Sequence, residues 1–248
     1  MNRVVAALTG LGILAAGLTG CGANTSPSTL TVLAASSLTE VYTRLATTYE
    51  KEHPGVSVRL VFDSSATLAQ MAQQHAPGDV LATADQRTMD AAVADKAVIG
   101  TATQFATNVM VLAVPAANPA HIESIADLGR ADFVICVPTA PCGAAAATLL
   151  KSNHISADPV SEEVDVKSVL AKVAAGEADA GLVYATDAKA AGKAVTSMAI
   201  PGADQNPNTY WVAVTAAAKE KRLAQDWITL LTSSAGRQAL LNAGFGTP

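Results

Sequence analysis

Short apolar runs alternate with amphipathic segments along most of the chain. The segment after each run carries apolar residues at the three- and four-residue spacing of a helix. After the run at residues 30–34, for example, come Leu38, Val41, Tyr42 and Leu45. Similar runs lie at residues 56–62, 79–83, 133–137, 180–184 and 195–200. This order of strands and helices is typical of an α/β fold with largely parallel sheets.

Two further β-rich runs, at residues 108–114 and 210–214, divide this pattern into sections. We interpret them as crossovers, because each is bounded by turn residues and is followed by a new series of elements. The chain is therefore predicted to form two lobes, each a mostly parallel sheet flanked by helices and joined by two crossover strands. The predicted boundaries are 29–109 for the first lobe, 110–210 for the second, and 211–248 for the return to the first.

The amino-terminal segment has the pattern of a secretory signal. Residues 1–20 carry a single cation, Arg3, before an apolar stretch too short for a permanent membrane span. The stretch ends in Leu-Thr-Gly-Cys, which resembles the bacterial lipobox. The alternative is an apolar terminus that only happens to precede a cysteine.

The lipobox resemblance implies that Cys21 is lipidated and that residues 21–28 form a tether. Two or more acyl chains give stable anchoring, whereas one chain binds only reversibly. The expected location is the cell envelope, at the outer face of the cytoplasmic membrane.

Composition narrows the class of protein. Of 248 residues, 50% are apolar and 15% are charged, with a net charge of -5. Intrinsic disorder is excluded for most of the chain. An acidic chain without a basic run does not suit nucleic acid, so we expect no such partner.

Two cysteines remain after Cys21. Cys136 and Cys142 lie close together in the chain, and an exported protein meets an oxidising setting. They form either a disulfide or two unpaired thiols. No His or Cys has a familiar ligand spacing, so no metal cation site is predicted.

The candidate chemistry lies where strands end and helices begin. Carboxyl ends of parallel strands meet the following helix N-termini in one crevice, where unpaired N–H groups bind anions without Lys or Arg. The candidates are Ser37, Ser65, Cys142 and Val166. Tyr184, at a strand end, is a further donor or a lobe anchor. For Ser37 the alternative is a capping box with Glu40.

Four motifs carry a family resemblance. They are Ala-Ala-Ser-Ser-Leu-Thr at 34–39, Ser-Ser-Ala-Thr-Leu-Ala at 64–69, Pro-Gly-Asp-Val-Leu-Ala-Thr-Ala-Asp at 77–85 and Gly-Leu-Val-Tyr-Ala-Thr-Asp-Ala at 181–188. In this order they resemble the periplasmic molybdate-binding proteins of ABC transporters, over residues 29–248. The resemblance implies the type II periplasmic-binding-protein fold, and a permease with its ATPase as partners.

The resemblance also implies a site for molybdate or tungstate. Its hydroxyl donors fall on Ser37, Ser65 and Tyr184, and its backbone N–H donors on Cys142 and Val166. The chain departs from the family at Cys142, where a small residue is usual, and in the turn that begins at Asp63. A carboxylate there repels a dianion unless it is paired or accepts a proton from the ligand.

Two alternative functions compete with this one. A receptor for sulfate, phosphate or a small organic anion keeps the fold and changes the ligand. A hydrolase lacks support, because no Gly-x-Ser-x-Gly elbow is present and the four histidines lie outside the candidate loops: His53, His75, His121 and His154. We therefore expect a monomeric receptor without enzyme activity or cofactor.

Overall fold

The computed structural model describes residues 28–248. The predicted signal peptide, the lipidation site Cys21 and all of the tether except its last residue lie outside the described residues. The described chain begins with a series of strands and helices in strict alternation. Their bounds are β1 (Ser28–Ala35), α1 (Thr39–Glu52), β2 (Val56–Asp63), α2 (Ser65–Gln73), β3 (Val80–Thr83), α3 (Gln86–Ala94) and β4 (Val98–Asn108).

The chain then builds a second set of elements. They are β5 (Met110–Pro115), β6 (Phe133–Cys136), α4 (Pro141–Ser152), β7 (Ser161–Glu163), α5 (Val166–Ala175), β8 (Ala180–Tyr184), α6 (Ala185–Ala191) and β9 (Val195–Ala199). A 3₁₀ helix at Ile125–Arg130 precedes β6. The final elements return to the first set: β10 (Asn208–Thr215), α7 (Lys221–Thr232) and α8 (Ser234–Ala243).

Two five-stranded sheets organise these elements. The first has the order β2-β1-β3-β10-β4 and the second β7-β6-β8-β5-β9. In each sheet four strands run in one direction, and the fourth strand in the order, β10 or β5, runs antiparallel to both of its neighbours. We call residues 28–108 and 208–248 lobe 1 and residues 110–207 lobe 2. The order reverses at β1 in lobe 1 and at β6 in lobe 2, which is where open α/β sheets bind ligands.

The predicted α/β class, with two sheets flanked by helices, is confirmed. The run at 108–114 is not one strand, because the Val109 N–H donates to Oδ1 of Asn108 at 3.0 Å instead of joining a ladder. The chain therefore changes sheet at Val109. Strand β4 was not predicted, because its Thr- and Gly-containing sequence lacks a clear apolar alternation. The return strand starts at Asn208, three residues before the predicted boundary, and the boundaries themselves stay a prediction.

The core of lobe 1 holds the site loops in place. Trp227 of α7 is fully buried and meets the rings of Tyr42 and Tyr49 of α1 edge-on, with centroids 5.4 and 5.5 Å away. Truncating such a side chain to Ala costs about 3–5 kcal/mol. This packing fixes α1 against the sheet and so positions the turn between β1 and α1.

The core of lobe 2 has a matching role. Strands β6 and β8 are buried along their whole lengths, and Val169 and Val173 of α5 are also fully buried. Gly176 follows α5 with a φ of +72°, which confirms the predicted helix end. The N-terminus of α5 is therefore held at the carboxyl edge of the sheet.

Candidate functional site

A small cavity lies between the lobes at the carboxyl ends of the central strands. All five residues predicted for the site line it: Ser37, Ser65, Cys142, Val166 and Tyr184. Two come from lobe 1 and three from lobe 2. The structure thus brings together side chains that are as far apart as 147 positions in the sequence.

Ser37 lies in a 3₁₀ turn at Ser36–Leu38 that precedes α1. The helix begins at Thr39 and has no side-chain cap, so the capping-box interpretation of Ser37 was wrong. The extra turn moves the helix start past the serine. The Ser37 hydroxyl is instead 2.8 Å from the hydroxyl of Tyr210.

Ser65 is the first residue of α2, and it is almost fully buried. Its Oγ accepts the N–H of Ala84 at 2.9 Å, which leaves its own proton for another acceptor. The neighbouring Ser64 hydroxyl is buried and lacks a hydrogen bond within residues 28–248. Both serines line the cavity, so hydroxyl donors are concentrated on this side.

Asp63 also lines the cavity. One of its carboxylate oxygens, Oδ1, accepts the Ser64 N–H at 2.6 Å. The carboxylate is thus paired with a backbone donor of its own turn. This arrangement reduces the repulsion that an unpaired carboxylate would exert on an anion.

Helix α4 presents its N-terminus from lobe 2. Pro141 occupies the first turn, and Ala144 is the residue whose N–H donates to the cap carbonyl of Ala140, at 3.0 Å. The Cys142 N–H precedes that bond and belongs to the donors that a helix leaves free. Cys142 is joined to Cys136, at the end of β6, by a disulfide. Gly143 is required here, because a Cβ would overlap the carbonyl oxygens of residues 136 and 137.

Helix α5 presents a second N-terminus from lobe 2. The carboxylate of its cap, Asp165, accepts the N–H groups of Lys167 at 2.7 Å and Ser168 at 3.0 Å. The Val166 N–H makes no hydrogen bond within residues 28–248 and lies on the cavity lining. The cap therefore satisfies two donors of the first turn and leaves the third for a ligand.

Tyr184 ends β8 and is only 1% exposed. Its hydroxyl has no hydrogen-bond partner in the described part of the chain. Burial raises the pKa of Tyr184 well above its ordinary value, and nearby acidic side chains add to the shift. The phenol stays protonated at neutral pH and is a neutral donor.

Sequence reasoning missed a polar network behind Ser37. Asn108 Nδ2 donates to Thr186 Oγ1 at 2.8 Å and to Tyr210 Oη at 3.3 Å. All three side chains are buried. The network joins the end of β4 in lobe 1 to the start of α6 in lobe 2. The sequence marked Asn108 and Tyr210 only by their position, because each begins one of the two runs interpreted as crossovers.

Sequence reasoning also missed an ion-pair cluster between the lobes. Lys167 Nζ lies 2.7 Å from Oε1 of Glu40 on α1, and 2.9 Å from Oδ1 of the fully buried Asp187. The second contact is an ion pair rather than an aligned hydrogen bond. Burial raises the pKa of Asp187 to about 6, and the Lys167 ammonium opposes the rise.

The cavity suits an anion held by neutral donors. The N-termini of α2, α4 and α5 meet there, and each helix end carries about half a positive charge. Among the described residues, no Lys or Arg lines this cavity. Over the same range, no group of three His, Cys, Asp or Glu side chains could hold a metal ion. None of the helices described is both long and apolar enough to cross a membrane.

Comparisons with known proteins agree with this geometry. Residues 30–246 match the family described as bacterial extracellular solute-binding proteins. The molybdate-binding protein ModA of Mycobacterium tuberculosis is 38% identical over 248 residues, which span 95% of this chain and 95% of the relative.

Two solved structures share the fold. The periplasmic molybdate-binding protein of Azotobacter vinelandii superposes with a TM-score of 0.79 at 20% identity, covering 88% of this chain and 99% of that chain. The sulfate-binding protein SubI of Mycobacterium tuberculosis superposes with a TM-score of 0.76 at 16% identity, covering 88% and 86%. The resemblance predicted from the motifs is confirmed, and the chain belongs to the bacterial extracellular solute-binding proteins and, within them, to the family of the molybdate-binding protein ModA.

Proposed function

We propose that this protein is the substrate-binding component of an ABC importer and that it captures molybdate between its lobes. It then delivers the anion to a membrane permease driven by an ATPase. The observation that carries the proposal is the convergence of three helix N-termini and buried hydroxyls on one cavity, without a Lys or Arg among the described lining residues. The relative that is 38% identical and is named as a molybdate-binding protein supports this ligand.

The proposed donors divide into two kinds. Ser37, Ser65 and Tyr184 donate hydrogen bonds from their hydroxyl groups. Cys142 and Val166 donate hydrogen bonds from their backbone N–H groups. A tetrahedral dianion has four oxygens that accept hydrogen bonds, and bonds to a charged acceptor are the stronger kind. Because the donors are rigidly held and buried, they replace hydration without a compensating cation.

Tungstate has the same shape and charge as molybdate, so we propose that it binds as well. Sulfate and phosphate are the alternative ligands. The fold does not choose between them, since SubI is named for sulfate and superposes on this chain. The site can distinguish molybdate from sulfate by size, because molybdate is larger. It can distinguish hydrogen phosphate from both by the proton that phosphate carries.

Cys21 is lipidated and holds a monomeric receptor at the outer face of the cytoplasmic membrane. The protein uses no cofactor and performs no turnover. The anion is released chemically unchanged to the permease.

Isothermal titration of the purified protein with molybdate, tungstate, sulfate and phosphate tests the ligand. We expect tight binding of molybdate and tungstate, with weak or absent heat from the other two. Ser65→Ala is the matched site variant, and the exposed Ser197→Ala is its control. Tight binding of sulfate or phosphate without molybdate would show that the ligand is a different anion. No binding heat from any of the four anions would overturn the receptor function.

A further inference from the structure

We propose that Asn108 and Tyr210 are positioning residues that set the direction of the hydrogen bond at Ser37. They make the Ser37 hydroxyl a donor toward the cavity, so that the site disfavours an anion with a proton on the facing oxygen. The inference rests on the proposed function, because it concerns the same cavity. It assigns a specificity role to two side chains that do not line that cavity.

The chain of bonds starts at the Asn108 amide, whose orientation is determined by its neighbours. Oδ1 accepts the N–H of Val109 at 3.0 Å, so the opposite side of the amide is the NH₂ group. That group faces Thr186 Oγ1 at 2.8 Å and Tyr210 Oη at 3.3 Å. An amide NH₂ donates and does not accept. The Tyr210 oxygen therefore accepts a hydrogen bond from Asn108.

Tyr210 transmits this direction. Its phenol is fully buried and has a single proton, and Ser37 Oγ lies 2.8 Å away. If Ser37 donated to Tyr210 instead, the phenol proton would face only the Asn108 NH₂ group and would lack an acceptor. A buried donor without an acceptor is unfavourable. The phenol thus donates to Ser37.

Ser37 completes the relay. Its oxygen accepts from Tyr210, and its own proton is left for the cavity that the residue lines. Ser65 has the same polarity by another route, because its oxygen accepts the Ala84 N–H at 2.9 Å. Both hydroxyls then face a ligand as donors. Molybdate and sulfate accept from them on every oxygen, whereas hydrogen phosphate presents one O–H that needs an acceptor.

The substitution Asn108→Asp reverses the relay while conserving side-chain size. A carboxylate still accepts the Val109 N–H, but its other oxygen now accepts the Tyr210 proton. Tyr210 then accepts from Ser37, and the Ser37 lone pairs face the cavity. The new negative charge also weakens the binding of every anion. The experiment therefore needs a second variant that keeps this charge but removes the hydrogen-bond relay. Asn108→Asp with Tyr210→Phe is that variant.

Titration calorimetry on the purified protein supplies the test. We expect Asn108→Asp to lower the affinity for molybdate about a hundredfold. Adding Tyr210→Phe should restore about tenfold of that affinity, because Ser37 becomes free to donate again. Tyr210→Phe alone should lower the affinity for molybdate by only about threefold. Recovery in the double variant supports the relay. A double variant that binds molybdate no better than Asn108→Asp overturns it.

Hydrogen phosphate is the second probe and does not depend on the folding of Asn108→Asp. Tyr210→Phe frees a lone pair on the Ser37 oxygen, which can then accept from the phosphate O–H. The affinity for phosphate should therefore rise about threefold or more relative to the affinity for molybdate. Equal changes for both anions would indicate a merely structural Tyr210 and overturn the inference. Failure of the proposed function looks different, since the unsubstituted protein would then not bind molybdate.

Discussion

The two lobes share one topology and supply different chemistry. In each, three parallel strands that are each followed by a helix form one side of the sheet, and one reversed strand joins them to an edge strand. Lobe 1 brings serine hydroxyls to the cavity, from Ser37 and Ser65. Lobe 2 brings backbone N–H groups, from Cys142 and Val166, together with the Tyr184 phenol. The same scaffold therefore builds half of a site from side chains and half mostly from the main chain.

The difference follows from how each helix begins. In lobe 2 the Asp165 carboxylate caps α5, and a disulfide with the close approach at Gly143 fixes the start of α4. These devices leave one or two N–H groups in a fixed direction. In lobe 1 the Ser65 hydroxyl is itself held by a backbone donor. Main-chain donors tolerate side-chain change, whereas hydroxyl donors do not.

The side-chain half is the easier to break. Ser37→Ala combined with Ser65→Ala should weaken molybdate binding by roughly 3 kcal/mol, about a hundredfold or more. Both changes remove a donor to a charged acceptor. Calorimetric titration measures the loss, with the exposed pair Ser156→Ala and Ser197→Ala as control. Affinity that stays within a factor of three would remove the hydroxyls from the site.

The main-chain half can be broken only through the backbone. Val166→Pro removes the N–H, and proline is tolerated at the first helical position after the extended Asp165. We expect molybdate binding to weaken by about 2 kcal/mol. Val166→Ala keeps the N–H and is the matched control, measured by the same titration. Equal losses in the two variants would assign the effect to the valine side chain.

Tyr184 is the one side-chain donor of lobe 2. Its hydroxyl is buried without a partner, so Tyr184→Phe should leave the thermal stability of the unliganded protein unchanged or slightly higher. Molybdate binding should weaken by about 1 kcal/mol. Thermal unfolding with and without molybdate separates the two effects. A loss of stability without ligand would indicate a structural role instead.

The smallest effect on affinity is expected at the disulfide. Replacing Cys136 and Cys142 by Ala should lower the free energy of unfolding by about 2 kcal/mol, because a short loop is released in the unfolded chain. Affinity should change by less than about threefold, since the Cys142 N–H remains. Urea unfolding and titration report the two quantities. A large loss of affinity without loss of stability would contradict a backbone donor.

The same division decided what the sequence could predict. Hydroxyl candidates in lobe 1 follow from serines placed between a strand and a helix. Cys142 and Val166 were selected by helix position and by family resemblance, because an N–H group leaves no mark on residue type. The Asn108 and Tyr210 network was missed, since it depends on how two crossovers pack together in space. The 3₁₀ turn at Ser37 was also missed, because a capping box and such a turn share the same residues.

The contacts between the lobes have a consequence for binding before any anion arrives. Lys167 joins Glu40 across the lobes, and Arg87 and Lys189 donate to the carbonyls of Thr139 and Asn242 on the opposite lobe. Such contacts raise the fraction of unliganded molecules that already hold the lobes together. Apparent affinity scales with that fraction. Because partly exposed ion pairs weaken as salt rises, we expect added salt to lower this fraction.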